Sequence, residues 1–133
     1  MYSVSKEISF CYGHRLLGHR GPCRHLHGHS ARVLVRLEAE CLDAQGMVTD
    51  FADIGGFLKE WLQGEIDHNM LLHRDDPVLP LLQAQGERAY PMDTHPTAEN
   101  IARLIFEAVR EAGFPVVEVT LFETGSASAS YRP

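Results

Sequence analysis

Five histidines and one cysteine lie between His14 and His29, in the run HRLLGHRGPCRHLHGH that closes on His27-Gly28-His29. Side chains two apart on a strand point to the same face, so His27 and His29 converge without any special backbone, and Gly28 allows something to approach the chain closely. Imidazoles at this spacing suit a transition metal. His14 joins them if its strand pairs with theirs. Three neutral nitrogens leave tetrahedral zinc one position for water or substrate, whereas structural sites close with four ligands. The pattern therefore predicts a catalytic zinc at His14, His27 and His29, with His19 and His25 left in the connecting loop.

Cys23 stands four residues before His27, among Arg20, Arg24 and His25, cationic neighbours that favour a thiolate. It could serve as a base, a nucleophile or a fourth ligand. Cys11 falls on the other phase of its strand and Cys41 lies far along the chain, so both read as structural. Asp67-His68 sets an imidazole beside a carboxylate, a pair able to shuttle protons near neutral pH. Glu123 continues the apolar phase of Val117, Val119 and Leu121, where a buried carboxylate is costly without a partner. A ligand with paired N–H donors would supply one; a turn into solvent would remove the need.

The elements that position these groups follow from periodicity. Even positions from Tyr2 to His14 are mostly apolar against small or polar odd ones, and the odd positions from His27 to Ala39 repeat the pattern, which predicts two strands. A turn at Asp43–Gly46 precedes apolar residues at helical spacing, so a helix is expected from about Asp50 to Ile66, weakened at Gly55-Gly56. Prolines at 77, 80, 91 and 96 break any period, so residues 67–96 read as a loop holding at most a short helix, able to act as a lid. Thr97 caps a helix whose stripe is Ile101, Leu104, Ile105, Ala108, Val109 and Ala112, stopped by Gly113 and Pro115. Val117–Phe122 and Ser128–Arg132 read as two further strands. Two strands, two helices and two strands predict an α+β domain spanning 1–133, a four-stranded antiparallel sheet covered on one face.

Bulk properties narrow the function class. The chain has 133 residues, 44% hydrophobic and 23% charged, with a mean hydropathy of −0.17. No apolar run approaches the ~18 residues of a membrane span, and the N-terminus lacks a signal-peptide pattern, so a cytoplasmic protein is expected. Three cysteines without a C-x-x-C pair argue against a disulfide framework. A net charge of −6 argues against a nucleic-acid partner and for small-molecule chemistry.

Phe10-x-x-x-His14, Cys23-x-x-x-His27-Gly28-His29, Gly46-Met47-Val48-x-Asp50-Phe51, Asp67-His68, Pro96-Thr97-x-Glu99-Asn100 and Glu123-Thr124 together span nearly the whole chain. The set resembles the 6-pyruvoyl-tetrahydropterin synthase and 6-carboxytetrahydropterin synthase family. The short spacer between Cys23 and His27 is most similar to the bacterial carboxy enzymes of queuosine biosynthesis. The resemblance implies the tunnelling fold, ββααββ, whose subunits join their sheets into a barrel and build sites at subunit interfaces, hence a homo-oligomer. It implies zinc on His14, His27 and His29, Cys23 as catalytic base, and Asp67 with His68 as proton relay. It implies too that Glu123 anchors a pterin ring with Thr97 nearby. The implied reaction converts 7,8-dihydroneopterin triphosphate to 6-carboxy-5,6,7,8-tetrahydropterin with release of triphosphate and acetaldehyde; a 6-pyruvoyl product, or pterin binding without turnover, are the alternatives. Arg15, Arg20 and Arg24 are candidates for the triphosphate. The chain departs from the family pattern in three places: Tyr12-Gly13 replaces small residues, Leu72 replaces an Asn, and residues 73–95 form a longer insert.

Overall fold

The computed structural model describes every residue from Met1 to Pro133. Strands β1 (Tyr2–His14) and β2 (His27–Ala39) form a long antiparallel hairpin in which Phe10 faces Ala31, Tyr12 faces His29 and His14 faces His27. The alternation expected from the sequence sets the burial: Phe10, Tyr12 and His14 are buried on β1, and Ala31, Val33, Val35 and Leu37 on β2. The connection between them contains a single 3₁₀ turn, Pro22–Arg24.

Helix α1 (Phe51–Glu65) begins at Asp50, whose side chain accepts a hydrogen bond from the Ala52 N–H at 2.8 Å and so satisfies one of the first-turn donors. Its buried stripe is Ile54, Leu58 and Leu62. Gly55 is where Lys6 crosses the helix: a Cβ at this position would stand 3.0 Å from Lys6 Cε. The glycine that weakens the helix locally thus makes room for a lysine on the core-facing phase of β1.

Residues 67–96 differ from the expected loop or lid. They contribute strand β3 (Asn69–His73), helix α2 (Val78–Ala84) and strand β4 (Ala89–Met92). The prolines mislead because each occupies a position that needs no N–H. Pro80 lies in the first turn of α2, where no intrahelical acceptor is available, and Pro91 lies on an edge strand. β3 pairs parallel with β1 over Tyr12–His14, and β4 pairs parallel with β3.

Helix α3 (Ala98–Glu111) is capped by Thr97, whose Oγ1 accepts from the Asn100 N–H at 3.2 Å. It buries Ile101, Ala102, Ile105, Phe106 and Val109, so the stripe is rotated slightly from the expected one toward Ala102 and Phe106. Strands β5 (Val116–Phe122) and β6 (Ser128–Tyr131) complete the sheet. The order is β4-β3-β1-β2-β5-β6. The fold is therefore α+β with a mixed six-stranded sheet and three helices rather than the four-stranded antiparallel ββααββ expected, because residues 67–96, expected as a loop, add two strands that pair parallel. A core of 19 buried residues, drawn from α1, α3 and the helix-facing phase of the strands, holds the layers together. No helix is long and apolar enough to cross a membrane.

Candidate metal centre

The β1–β2 register brings His14 beside His27 and His29 at one end of the sheet, and one ring nitrogen from each lies within 4.8 Å of the others. Two of the three rings are held through Nδ1. His14 Nδ1 is 2.7 Å from the Pro96 carbonyl oxygen, and His27 Nδ1 is 2.7 Å from the His25 carbonyl oxygen. A carbonyl only accepts, so each Nδ1 carries the proton and each Nε2 presents a lone pair, the arrangement that orients metal-ligating histidines. Burial lowers the His14 pKa from its ordinary value and keeps the imidazole neutral.

The spacing of one pair also matches an ion. Tetrahedral zinc with metal–nitrogen distances of about 2.0–2.1 Å holds neighbouring ligand nitrogens about 3.3 Å apart. His14 Nε2 and His29 Nε2 are 3.2 Å apart. A three-nitrogen donor set with no thiolate or carboxylate among the three matches a site that leaves a position open.

Glu123 lies just beyond β5 and stands against this cluster. Its Oε1 accepts a hydrogen bond from the Tyr12 hydroxyl at 2.7 Å and lies 3.6 Å from both His14 Nε2 and His29 Nε2. The carboxylate thus finds a partner inside the protein while its side chain stays a quarter exposed. Burial, then Glu123 itself, pushes the Tyr12 phenol well above its ordinary pKa, so it remains a donor. Periodicity marked Tyr12 only as a core position. Nothing in a single sequence pairs it with a residue on a distant strand.

Cys23 sits half-buried in the 3₁₀ turn. The Arg24 guanidinium donates through Nη1 to the Arg20 and Gly21 carbonyls of its own loop. Arg15, a candidate for triphosphate, is instead committed to Asp76, to which Nε donates at 2.7 Å with Nη2 donating to the second oxygen. Cys11 and Cys41 are both exposed, not packed in the core. Thr97 spends its hydroxyl on the α3 cap and places the neighbouring Pro96 carbonyl against His14.

Asp67 and His68 are elsewhere. They follow α1 and meet the outer edge of β1 at Cys11: Asp67 Oδ1 accepts from the Cys11 N–H at 2.9 Å, and the His68 N–H donates to the Cys11 carbonyl at 2.7 Å. His68 Nδ1 is 3.0 Å from Asp67 Oδ1. Burial raises the Asp67 pKa, but the Cys11 N–H and His68 outweigh it, leaving a net depression and a carboxylate that holds His68 with Nε2 facing out. His68 adopts a left-handed backbone, φ 54°, unusual for a non-glycine residue. Its side chain is 75% exposed and borders a cavity of about 620 Å³ with Ser9, Cys11, Ser30 and Arg32, on the helix-free face of the sheet. No hydrogen bond or ion pair within the chain joins Asp67 or His68 to Cys23 or to the three histidines. The structure therefore assembles the histidines with Glu123, while Asp67 and His68 pair with each other at Cys11.

The family model of 6-pyruvoyl tetrahydropterin synthase matches residues 3–133. This chain belongs to that family. As a family member it is an enzyme of the lyase type. It is 34% identical over 131 residues to the 6-carboxy-5,6,7,8-tetrahydropterin synthase of Rickettsia typhi, with 93% of this chain and 95% of that protein covered. Among solved structures it superposes on a protein of Wolinella succinogenes with a TM-score of 0.78 at 27% identity, covering 98% and 97% of the two chains. It also superposes on the 6-pyruvoyl tetrahydropterin synthase of Caenorhabditis elegans with a TM-score of 0.74, covering 99% and 95%; at 23% identity that likeness concerns the fold. The family fold of this pterin synthase homologue thus carries the histidine cluster at the end of its central hairpin.

Proposed function

We propose that this chain is a zinc-dependent lyase that converts 7,8-dihydroneopterin triphosphate to 6-carboxy-5,6,7,8-tetrahydropterin, releasing triphosphate and acetaldehyde, in the supply of 7-deazapurine precursors such as that of queuosine. The observation that carries this reading is the commitment of His14 Nδ1 and His27 Nδ1 to backbone carbonyls, which leaves their Nε2 atoms free beside His29 Nε2 and next to Glu123. Zinc held by the three Nε2 lone pairs would supply positive charge that polarises the side-chain oxygens of the substrate.

The protein's own groups divide the remaining work. Glu123, fixed on one side by Tyr12, is placed to accept the amino and ring N–H groups of a pterin. Thr97 stands at the start of α3, one residue from the carbonyl that holds His14, where it borders the same ring. Cys23 acts as the base that removes a side-chain proton, and His68, oriented by Asp67, exchanges the second proton through its outward Nε2. With Arg15 bound to Asp76, Arg20 and Arg24 are the cations left to meet the triphosphate.

With Asp67 and His68 tied to Cys11 and to each other, and not to Cys23, the unpaired edges of the sheet support a site completed by a second copy. β3 pairs with β1 only at Tyr12–His14, so the outer edge of β1 from Tyr2 to Phe10 is unpaired, and β6 forms the sheet's far edge. Long unpaired edges invite strand addition. A homo-oligomer that joins sheets through these edges would carry the Asp67–His68 pair of one subunit toward the Cys23 loop of another, in a cytoplasmic enzyme.

The test is incubation of zinc-loaded protein with 7,8-dihydroneopterin triphosphate and identification of products by mass spectrometry. Acetaldehyde, triphosphate and the 6-carboxy pterin are expected. A 6-pyruvoyl product would move the assignment to the pyruvoyl reaction, and tight pterin binding without product would leave a binding protein.

A further inference from the structure

Residues 69–96 hold His14 and its neighbour at three points. The first strand of this segment, β3, pairs with the end of β1 so that Leu71 stands opposite His14. The Pro96 carbonyl, where the segment ends, accepts from His14 Nδ1. The residue after His14 is tied as well: Arg15 makes a two-pronged contact with Asp76, whose side chain is completely buried and also accepts from the Val78 N–H at 2.9 Å. The two ends of the insert lie together, since the rings of His73 and His95 are 4.9 Å apart and the Arg74 N–H donates to the Met92 carbonyl at 2.8 Å.

These contacts have a common consequence. Pro96 can hold the imidazole in one orientation only while the segment ending at Pro96 is itself docked, and the one buried charge of the insert is Asp76, satisfied by the residue next to the ligand. Arginine suits this role because its planar fork matches both carboxylate oxygens, whereas an ammonium is a single point charge. We propose that Arg15 and Asp76 are positioning residues for the metal ligand His14, and that residues 69–96 form a brace locking that ligand rather than a lid over the substrate. The inference rests on the reading of His14, His27 and His29 as a metal site.

The test measures zinc affinity of the full-length chain by competition with a chelating indicator, together with the visible absorption of the cobalt-substituted protein and the thermal midpoint of the metal-free form. Removing an outer contact to a ligating histidine weakens metal binding by about 10- to 100-fold. Asp76→Asn is expected to raise the zinc Kd about tenfold or more, measured well below its own thermal midpoint, and to alter the cobalt spectrum. Arg15→Lys, which keeps the charge and loses the fork, should weaken binding several-fold and decides the matter if Asp76→Asn does not fold. Arg103→Gln, which breaks the exposed ion pair with Glu107 on α3, should bind zinc as the wild type does. Wild-type zinc affinity in both brace variants, even with a lowered thermal midpoint, would overturn the inference and leave the metal reading standing. A wild-type chain that takes up neither zinc nor cobalt would overturn both.

Discussion

The Tyr12 hydroxyl donates to Glu123 Oε1 at 2.7 Å, joining two residues 111 positions apart beside the histidine cluster. Tyr12 is 2% exposed and its ring lies 5.2 Å from that of His14 and 5.6 Å from that of His29. One buried phenol therefore sets the direction of the carboxylate while packing against two of the candidate ligands.

Tyr12→Phe keeps the ring and removes the donor. A hydrogen bond to a charged group is worth about 1.5–3 kcal/mol, so the KM for the pterin substrate should rise about tenfold. With the ligands undisturbed, kcat should stay within about twofold. Steady-state kinetics on zinc-loaded protein checks this; an unchanged KM would show that Glu123 needs no help to hold its orientation.

His27→Ala and His29→Ala each remove one of three ligands. Zinc content after dialysis, measured by elemental analysis, should fall from about one ion per chain to less than about a tenth of that, because two nitrogens seldom retain the ion against buffer. Circular dichroism should remain that of the folded protein, since both side chains are only half-buried at the end of the hairpin. A chelator should abolish wild-type turnover and added zinc should restore it.

Cys23→Ala and His68→Ala should each reduce kcat at least a hundredfold, the usual scale for a lost proton-transfer group. Mixed together after unfolding and refolding, the two inactive proteins should regain about a quarter of the wild-type activity if each site takes Cys23 from one subunit and His68 from another, the fraction expected of random pairing in a closed oligomer. No recovery would place both residues of a working site in the same chain.

Asp76 should shape the acid limb of stability. The hydrogen bond from Arg15 holds its pKa below the ordinary carboxylate value despite burial. A carboxyl whose folded pKa is depressed stabilises the fold above the unfolded value, about 3.9, and this contribution is lost as pH falls through the folded value. Denaturant unfolding of the metal-free protein between neutrality and about pH 3 should therefore show a shallower loss of stability for Asp76→Asn than for wild type. Parallel curves would mean that Asp76 keeps its charge or its contacts in the unfolded chain.

The hairpin and both long helices were legible in the sequence because their signal is local. Alternation in Tyr2–His14 and His27–Ala39 set which side chains face the core, and Thr97 announced its helix by side-chain chemistry at the first turn, while the first helix was marked by apolar residues at helical spacing. The histidine cluster was legible for the same reason, since two ligands on one strand need only period two and the third needs only the hairpin. The segment 67–96 was not. β3 and β4 are short, β4 contains Pro91, and both exist through parallel pairing that no local pattern encodes.

Residue types and spacing by themselves brought out the candidate donor set His14, His27 and His29, with Cys23 four residues before His27 and Glu123 on the apolar phase of its strand. Only the tertiary structure decided what holds those groups. Pro96 and His25 contribute main-chain carbonyls, which have no side-chain signature, and Tyr12 and Arg15 are tied to Glu123 and Asp76 by contacts across 111 and 61 residues of chain. Side-chain periodicity reports which face a residue presents to its own element, while the partner waiting on that face depends on how distant segments pack.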